Sequence, residues 1–358
     1  MKKILYISTN DGSDTRINKE IRTLAQHASI LFIGIGEESE KSFIKDHCEI
    51  FKLIPGNGRS LKSRIKHLWI TVWFLLKYRI NTIHVINEQT YIFFYPFIFH
   101  KYIVLDLFDS IFLSYNKSGN DLAWFKRIVY APVNKVIVTD QNRKKLLPDF
   151  LINSKRVVVL ENFPNQIHSS STKVSSTNSG DVNILYSGTL MKIRGSKTLL
   201  DLVNAYPNVK ILAAGWVKDD ISRELLAHPN VTYLGIIKQE ELLKITIEKC
   251  DYIFSFYEPI SVQNINASPN KIYDGIMCKT PIIINKEVVL SSEIAELNIG
   301  VVVDSYYNVN LEKLTNELME KRNTFTFTDK LIQQHSWNAI EHRLLIAHRV
   351  VKNTSRKH

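Results

Sequence analysis

The chain has 358 residues, of which 45% are hydrophobic and 23% charged, with 46 Lys+Arg, 35 Asp+Glu and three cysteines. At roughly 150 residues per domain, this length predicts two domains, and the frequent apolar residues exclude extensive disorder. Cys48, Cys250 and Cys278 give neither a disulfide framework nor a metal-binding spacing, which fits a reducing cytosol. We expect no signal peptide and no membrane-spanning segment.

The net charge of +11 is concentrated in the first half of the chain. Residues 1–165 hold 24 Lys+Arg and 15 Asp+Glu, whereas residues 166–358 hold 22 and 20. An excess of this kind fits nucleic acid, an anionic membrane surface or a phosphorylated substrate as a partner.

The first half alternates apolar strands with helical patterns. Short apolar runs predict strands buried on both faces at 3–8, 30–35, 82–86, 103–107, 136–139 and 157–160. Ile17, Ile21, Leu24 and Ala28 have the spacing of an amphipathic helix. Further helices fit at about 60–79 and 121–131. Such alternation predicts a parallel, doubly wound sheet.

A Ser/Thr-rich segment at 168–180 interrupts this pattern and predicts an interdomain linker. Strands are then predicted at 183–188, 209–214, 231–234, 252–256, 281–285 and 300–303, and helices at 196–205, 240–248, 271–277 and 337–352. We therefore expect an N-terminal domain at 1–167, a C-terminal domain at 181–335 and a final helical segment at 336–358. Two Rossmann-like α/β domains of this kind would face a central cleft.

The sequence lacks several well-known catalytic signatures. It has no GxxxxGK[ST] loop, no HExxH and no GxSxG, and its nearest approach to a dinucleotide fingerprint, Gly34-Ile-Gly36, lacks the third glycine. These absences argue against a P-loop NTPase, a zinc protease, an α/β-hydrolase and a dehydrogenase.

The sharpest local feature is residues 267–284, ASPNKIYDGIMCKTPIII. Ser268 is a suitable helix N-cap, and Pro269 suits the first helical position. The next backbone N–H groups, backed by the helix dipole, would accept a diphosphate: those of Asn270, Lys271 and Ile272. The alternative is a well-capped helix without a ligand.

This run resembles the donor-binding motif of the GT-B glycosyltransferases, in particular their retaining family four. Six further segments match motifs of that family in the same order: 14–20 (DTRINKE), 104–109 (VLDLFD), 157–165 (VVVLENFPN), 185–190 (LYSGTL) with Arg194-Gly195, 231–235 (VTYLG) and Ser336-Trp337. The resemblance spans nearly the whole chain. It implies two Rossmann-like domains and sugar transfer with retention, without metal or cofactor, from a UDP- or GDP-linked sugar.

The resemblance also implies donor-binding residues in the second domain. Arg194 would stabilise the charge on the leaving diphosphate; its alternative is an exposed loop arginine. Gly188 and Thr189 would form the turn beside the phosphates. Lys271 either supplies a second positive charge or is a solvated lysine. Asp274 replaces the glutamate that usually binds the ribose.

In the first domain the resemblance implies residues that contact the acceptor or line the cleft. These are Gly12, Asp14, Arg16, Asp106 and Asp109. Phe108 departs from the family because relatives with this motif carry a histidine there. The catalytic candidates are Arg194 for the leaving group and Asp109 for positioning the acceptor. Asp109 is equally explained as a helix cap.

Residues 59–79 combine cations with tryptophans, as a helix lying on an anionic bilayer does. The candidate membrane-surface residues are Arg59, Lys62, Arg64, Lys66, Trp69 and Trp73. The alternative is a helix packed on its own sheet. Because acceptors in this family are commonly lipid-linked glycans, the resemblance implies a cytoplasmic protein, peripheral on the inner face of the membrane. It would act in bacterial surface-polysaccharide synthesis and bind no nucleic acid.

Two other functions remain open on the same fold. A UDP-sugar 2-epimerase would need several acid/base residues around one sugar ring, and the sequence shows no obvious set. A non-catalytic subunit that partners an active enzyme would account for the departures at Phe108, Asn266 and Asp274.

Overall fold

The computed structural model describes residues 2–38, 43–58, 60–166 and 180–351. The chain divides into two compact units: Met1–Glu161 with Ile340–His358, and Asn162–Ala339. Most of the predicted linker, 168–179, and the predicted membrane-surface residue Arg59 lie outside the described residues.

The first unit contains a seven-stranded parallel sheet. In chain order its strands are β1 (Lys3–Ile7), β2 (Ser29–Ile35), β3 (Ile50–Ile54), β4 (Thr82–Ile86), β5 (Tyr102–Leu107), β6 (Lys135–Val138) and β7 (Val157–Val159). They lie in the order β3-β2-β1-β4-β5-β6-β7. The sequence pattern did not predict β3. As an edge strand it leaves Lys52 exposed and therefore lacks the continuous apolar run of a central strand.

The helices of this unit are α1 (Thr15–Ala25), α2 (Leu61–Lys77), α3 (Glu88–Ile98), α4 (Ile111–Ser114), α5 (Ala123–Tyr130), α6 (Gln141–Lys145) and α7 (Asp149–Ile152), with a short 3-10 turn at Lys45–His47. Because crossovers between parallel strands are right-handed, α2, α3 and α5 lie on the face of the sheet opposite α1. Their inward side chains share one core with Leu5, Ile33 and Val85 of the sheet.

The second unit contains a six-stranded parallel sheet. Its strands are β8 (Val182–Leu190), β9 (Val209–Val217), β10 (Val231–Tyr233), β11 (Tyr252–Ser255), β12 (Ile282–Asn285) and β13 (Gly300–Val303), in the order β10-β9-β8-β11-β12-β13. Its helices are α8 (Ser196–Ala205), α9 (Asp220–Ala227), α10 (Gln239–Lys249), α11 (Val262–Ile265), α12 (Asn270–Cys278), α13 (Ser291–Glu296), α14 (Leu311–Glu320) and α15 (Asp329–Gln334). The predicted fold class, two doubly wound parallel-sheet domains, is confirmed.

The last helix, α16 (Trp337–Ala347), is shorter than the predicted 337–352. Thr23 donates a hydrogen bond to the Glu341 carboxylate (3.0 Å), and Arg343 forms an ion pair with Glu161 (2.9 Å). These contacts join α16 to the first unit. No helix among the described residues is long and apolar enough to cross a membrane.

In the second unit the strand order reverses between β8 and β11. Ligands of open α/β sheets bind beyond the carboxyl ends of the strands at such a switch point. The loops after β8 and β11 are therefore where a ligand site is expected in this unit.

Candidate functional site

The loop after β8 is held by hydrogen bonds on several sides. The Tyr186 hydroxyl accepts from the Met191 N–H (3.1 Å) and pairs with the Ser196 hydroxyl (2.8 Å). The Glu258 N–H donates to the Ile193 carbonyl (3.0 Å), which ties the loop to the segment after β11. The loop therefore places its next residue, Arg194, at the switch point.

Gly195 ends this loop, and no other residue fits there. Its φ of +87° lies in the left-handed region, and an added Cβ would stand 2.5 Å from Cε1 of Phe254. The close approach of the backbone to the Phe254 ring fixes Arg194 beside the end of β11.

Arg194 stacks on Tyr257. Its guanidinium carbon lies 3.8 Å from the centre of the Tyr257 ring, and its Nη1 is buried without a hydrogen-bond partner in the described part of the chain. Asn285, fully buried at the end of β12, accepts from the Tyr257 N–H (2.8 Å) and donates to the Tyr257 carbonyl (3.0 Å). Asn285 therefore fixes the ring that supports the guanidinium.

Lys271 lies in the first turn of α12, on the other side of the switch point. The residue is 8% exposed, and its Nζ lies 5.6 Å from the centre of the Tyr186 ring. Burial, together with the positive charge of Arg194, lowers the pKa of Lys271 to about 7, and Asp274 partly opposes this shift. Two mutually repelling cations thus converge at the switch point.

Such a pair is suited to an anion. An anion bound between the two cations would relieve their repulsion and provide a partner for the buried Nη1 of Arg194. The amino end of α12 points its dipole at the same place, which adds to the attraction. The site therefore has the chemistry of a phosphate or diphosphate site.

The start of α12 differs from the sequence prediction. Pro269 is the N-cap and Asn270 the first helical residue, so the expected capping by Ser268 is wrong. The Ser268 hydroxyl pairs with the Tyr273 hydroxyl instead (3.1 Å). The Ile272 N–H donates to the Pro269 carbonyl (3.1 Å) and is therefore used within the helix.

Asp274, the predicted ribose-binding residue, is buried one turn along α12. Its Oδ1 accepts a hydrogen bond from the Gln239 amide (2.8 Å), which holds the carboxylate in place. Gln239 and Asn285 were not predicted from the sequence, nor was the role of Tyr257 in supporting Arg194. Only Asn285 carried a signal there, as the polar end of the strand Ile-Ile-Ile-Asn.

Gly188 and Thr189 lie at the carboxyl end of β8, in register with Gly215 and Trp216 of β9. A Cβ on Gly215 would stand 1.8 Å from the Gly188 carbonyl oxygen, so the two strands meet there without side chains. Tyr233 of β10 donates to the Gly215 carbonyl (2.7 Å). These residues form the same edge of the sheet as Arg194.

In the first unit, the predicted acceptor residues Arg16 and Asp106 are buried and pair with each other. Nη2 of Arg16 lies 3.1 Å from Oδ1 of Asp106, and Nη1 donates to the Leu160 carbonyl (2.8 Å). The guanidinium also lies 5.1 Å from the centre of the Phe108 ring. Phe108 therefore covers this ion pair.

Glu20, His84 and Asp106 offer ligand atoms within 4.8 Å of one another, a spacing that could hold a metal ion. Arg16 already contacts both carboxylates, with its Nε 2.9 Å from Oε1 of Glu20. Burial and the nearby Asp106 raise the pKa of Glu20 well above its usual range, which favours its neutral form. We therefore assign this cluster a structural role, with the guanidinium as its cation.

The remaining predicted acceptor residues lie in loops at the carboxyl end of the first sheet. Gly12 is buried with a φ of +89°, and its N–H donates to Oδ1 of Asn10 (2.7 Å). Asp14 caps α1 by accepting from the Arg16 and Ile17 N–H groups. Asp109 is exposed, and its N–H donates to Oδ1 of Asn87 (3.0 Å).

Comparison with solved structures found several similar over nearly their whole length. Anabaena HepE, solved with UDP and glucose, is 13% identical, with 98% of this chain and 95% of that chain covered and a TM-score of 0.65. Sucrose-phosphate synthase from Thermosynechococcus elongatus is 15% identical, with 98% of both chains covered and a TM-score of 0.70. The lipopolysaccharide outer core galactosyltransferase WaaB is 12% identical, with 96% and 98% covered and a TM-score of 0.61.

No protein-family model matches the sequence, and no curated protein does so. At these identities the structural similarity establishes the fold alone. The chain has the two-domain GT-B fold of these glycosyltransferases.

Proposed function

We propose that the protein is a glycosyltransferase that uses a nucleotide-sugar donor. The observation that carries this proposal is the cation pair Arg194 and Lys271 at the switch point of the second unit. A nucleoside diphosphate supplies the anion that this pair lacks. Asp274, fixed by Gln239, would accept hydrogen bonds from the ribose hydroxyls. Ser268, Pro269, Asn270 and Ile272 would shape the same site.

When the bond between sugar and diphosphate breaks, negative charge grows on the leaving phosphate. Arg194, a protonated Lys271 and the amino end of α12 are already oriented toward that charge and stabilise it without rearrangement. Because the chain itself supplies two cations, we propose a reaction that needs no metal ion. Asp109 would hold the acceptor.

The finer parts of the proposal rest on the sequence resemblance. It supports retention of configuration and a role in bacterial surface polysaccharide. The UDP and glucose in the HepE structure favour a UDP-sugar donor over a GDP-sugar. Lipid-linked glycans are the acceptor class we propose.

Helix α2 supports a location at the inner membrane surface, because it exposes a row of large apolar side chains. Its buried residues are Ser63, His67, Thr71, Phe74 and Leu75, and its exposed apolar stripe consists of Leu61, Ile65, Trp69, Trp73 and Leu76. Trp69 is 69% exposed and Leu76 79%. A helix surrounded by water normally has polar side chains on its exposed face. We propose that this stripe rests on the bilayer, with Lys62, Arg64 and Lys66 against anionic lipids.

The test is a thermal-shift panel of UDP, GDP, ADP and CMP with the wild type, Arg194→Ala and an exposed control, Lys244→Gln. We expect one nucleoside diphosphate to raise the melting temperature by several degrees in the wild type and the control, but not in Arg194→Ala. No shift with any nucleotide would contradict the proposal.

Turnover of the matching nucleotide sugars then separates the rival functions. Release of the nucleotide that requires an added acceptor supports transfer. Nucleotide binding without turnover of any sugar would indicate the non-catalytic subunit, and isomerisation of the donor would indicate the epimerase.

A further inference from the structure

A second cationic site lies in the first unit. It is at the edge of the sheet opposite the loops that hold Gly12, Asp14 and Asp109. A cavity of about 470 Å³ opens beside the amino ends of β1 and β4 and the carboxyl end of α2. It is lined by Lys2, Lys3, Lys77, Tyr78, Arg79 and Asn81. Its volume falls within the range of small-molecule sites, about 300–1,000 Å³.

The cations of this pocket are held in place by aromatic rings. Nζ of Lys77 lies 4.4 Å from the centre of the Trp73 ring and 5.2 Å from that of Tyr78. Nζ of Lys3 lies 5.5 Å from the same Tyr78 ring. Two ammonium groups thus share one tyrosine, which reduces their freedom before any ligand arrives.

The positive charge of the pocket is largely unneutralised. Lys3 pairs with Glu49 (2.9 Å), and Lys2 donates to the His348 carbonyl (2.6 Å). Within the part of the chain that the structure describes, no carboxylate forms an ion pair with Lys2, Lys77 or Arg79. Between residues 50 and 105 the sequence has a single acid, Glu88, which is fully buried.

Arg79 adds a further cation to the pocket. It follows the last residues of α2 with a φ of +48°, at the position where helices usually end in glycine. An arginine is strained in this left-handed conformation, as are Lys155 and Lys279 elsewhere in the chain. Its side chain lines the pocket, where it adds a planar donor suited to phosphate.

We propose that this pocket binds the phosphate group of an anionic membrane lipid. The lipid, rather than a free phosphate, is favoured because Trp73 and Leu76 lie beside the pocket on the exposed apolar stripe of α2. The inference rests on the proposed membrane location and adds a specific headgroup site to it. The stripe would enter the interface while the pocket holds a phosphate at its end.

The test is sedimentation of the full-length protein with phosphatidylcholine vesicles, with and without phosphatidylglycerol. The pocket variant is Arg79→Gly with Lys77→Gln, and its charge-matched control is Lys145→Gln with Lys244→Gln, two exposed lysines elsewhere. We expect the pocket variant alone to lose about tenfold or more in affinity for the anionic vesicles. Because glycine relieves the strain at position 79, its melting temperature should be no lower than that of the wild type.

Equal binding by the pocket variant and the control would overturn the proposal. Binding of soluble glycerol 3-phosphate in the pocket without any preference for anionic vesicles would also overturn it, because the ligand would then be a free phosphate. The thermal shift with nucleotide is measured on the same preparations. A retained nucleotide shift without a lipid preference would reject this inference and leave the proposed glycosyltransferase in place.

Discussion

Lys271 is a buried lysine that titrates near neutral pH, since burial and Arg194 lower its pKa to about 7. A diphosphate bound beside it would favour the charged form and raise that pKa. Above about pH 7, binding must therefore be accompanied by uptake of a proton. We predict that the affinity for the nucleoside diphosphate falls between about pH 7 and 9, by up to about tenfold per unit.

Calorimetry at several pH values measures this slope. Lys271→Arg keeps a permanent charge and should remove the slope while preserving affinity at the higher pH. Lys271→Met should weaken binding near pH 7 and also remove the slope. A wild-type affinity that is flat over this range would show that Lys271 does not meet the phosphate.

Tyr257 gives a second prediction at the scale of a single side chain. Its ring lies 3.8 Å from the Arg194 guanidinium and keeps it oriented. Tyr257→Ala removes the stacking partner, and we expect nucleotide affinity to fall about fivefold to tenfold, the effect of about 1 kcal/mol. Tyr257→Phe is the matched control, because it keeps the ring and should bind within about twofold of the wild type. Equal losses in the two variants would assign the effect to the hydroxyl instead.

Helix α2 is the helix that we propose to contact the membrane. Its buried residues are Ser63, His67, Thr71, Phe74 and Leu75, while Trp69 and Trp73 are exposed. We predict that Trp69→Ser with Trp73→Ser greatly reduces sedimentation with vesicles and leaves the melting temperature nearly unchanged, since both side chains are largely exposed. Tyr307→Ser, an exposed aromatic of the second unit, is the control. A large loss of stability in the double variant would mean that the tryptophans pack within the protein.

Of the strands that the structure describes, the sequence predicted all but β3. Burial on both faces gives β1 and β12 continuous apolar runs, which local sequence reveals. The edge strand β3 has no such run and was missed. The Ser268 cap was mispredicted because the Ser268 hydroxyl pairs with Tyr273, a contact between helix and loop that spacing does not reveal.

Tertiary contacts also limited what the sequence could predict of the candidate site. Arg194, Lys271 and Asp274 lie in recognisable motifs, so sequence alone could propose them as site residues. Tyr257 and Asn285 reach the site from different strands and are joined to it by backbone hydrogen bonds. Such neighbours follow from tertiary packing, and no local pattern identifies them.

At the scale of the whole molecule, the two sheets have the same doubly wound design but different electrostatics. Residues 1–165 carry the excess of cations, and residues 166–358 are nearly balanced. In the second unit, Arg194 and Lys271 form the proposed diphosphate site. In the first unit the cations lie along α2 and in the pocket at its end, where they would meet lipid phosphates. We therefore propose that the charge excess of residues 1–165 meets a membrane rather than nucleic acid.

The central claim is that Arg194 and Lys271 together bind the diphosphate of a nucleotide-sugar donor. Titration calorimetry with the nucleoside diphosphate that gives the largest thermal shift tests it most directly. We predict one site in the wild type and affinities at least about tenfold weaker in Arg194→Ala and in Lys271→Met near pH 7. Unchanged affinity in both variants would contradict the claim.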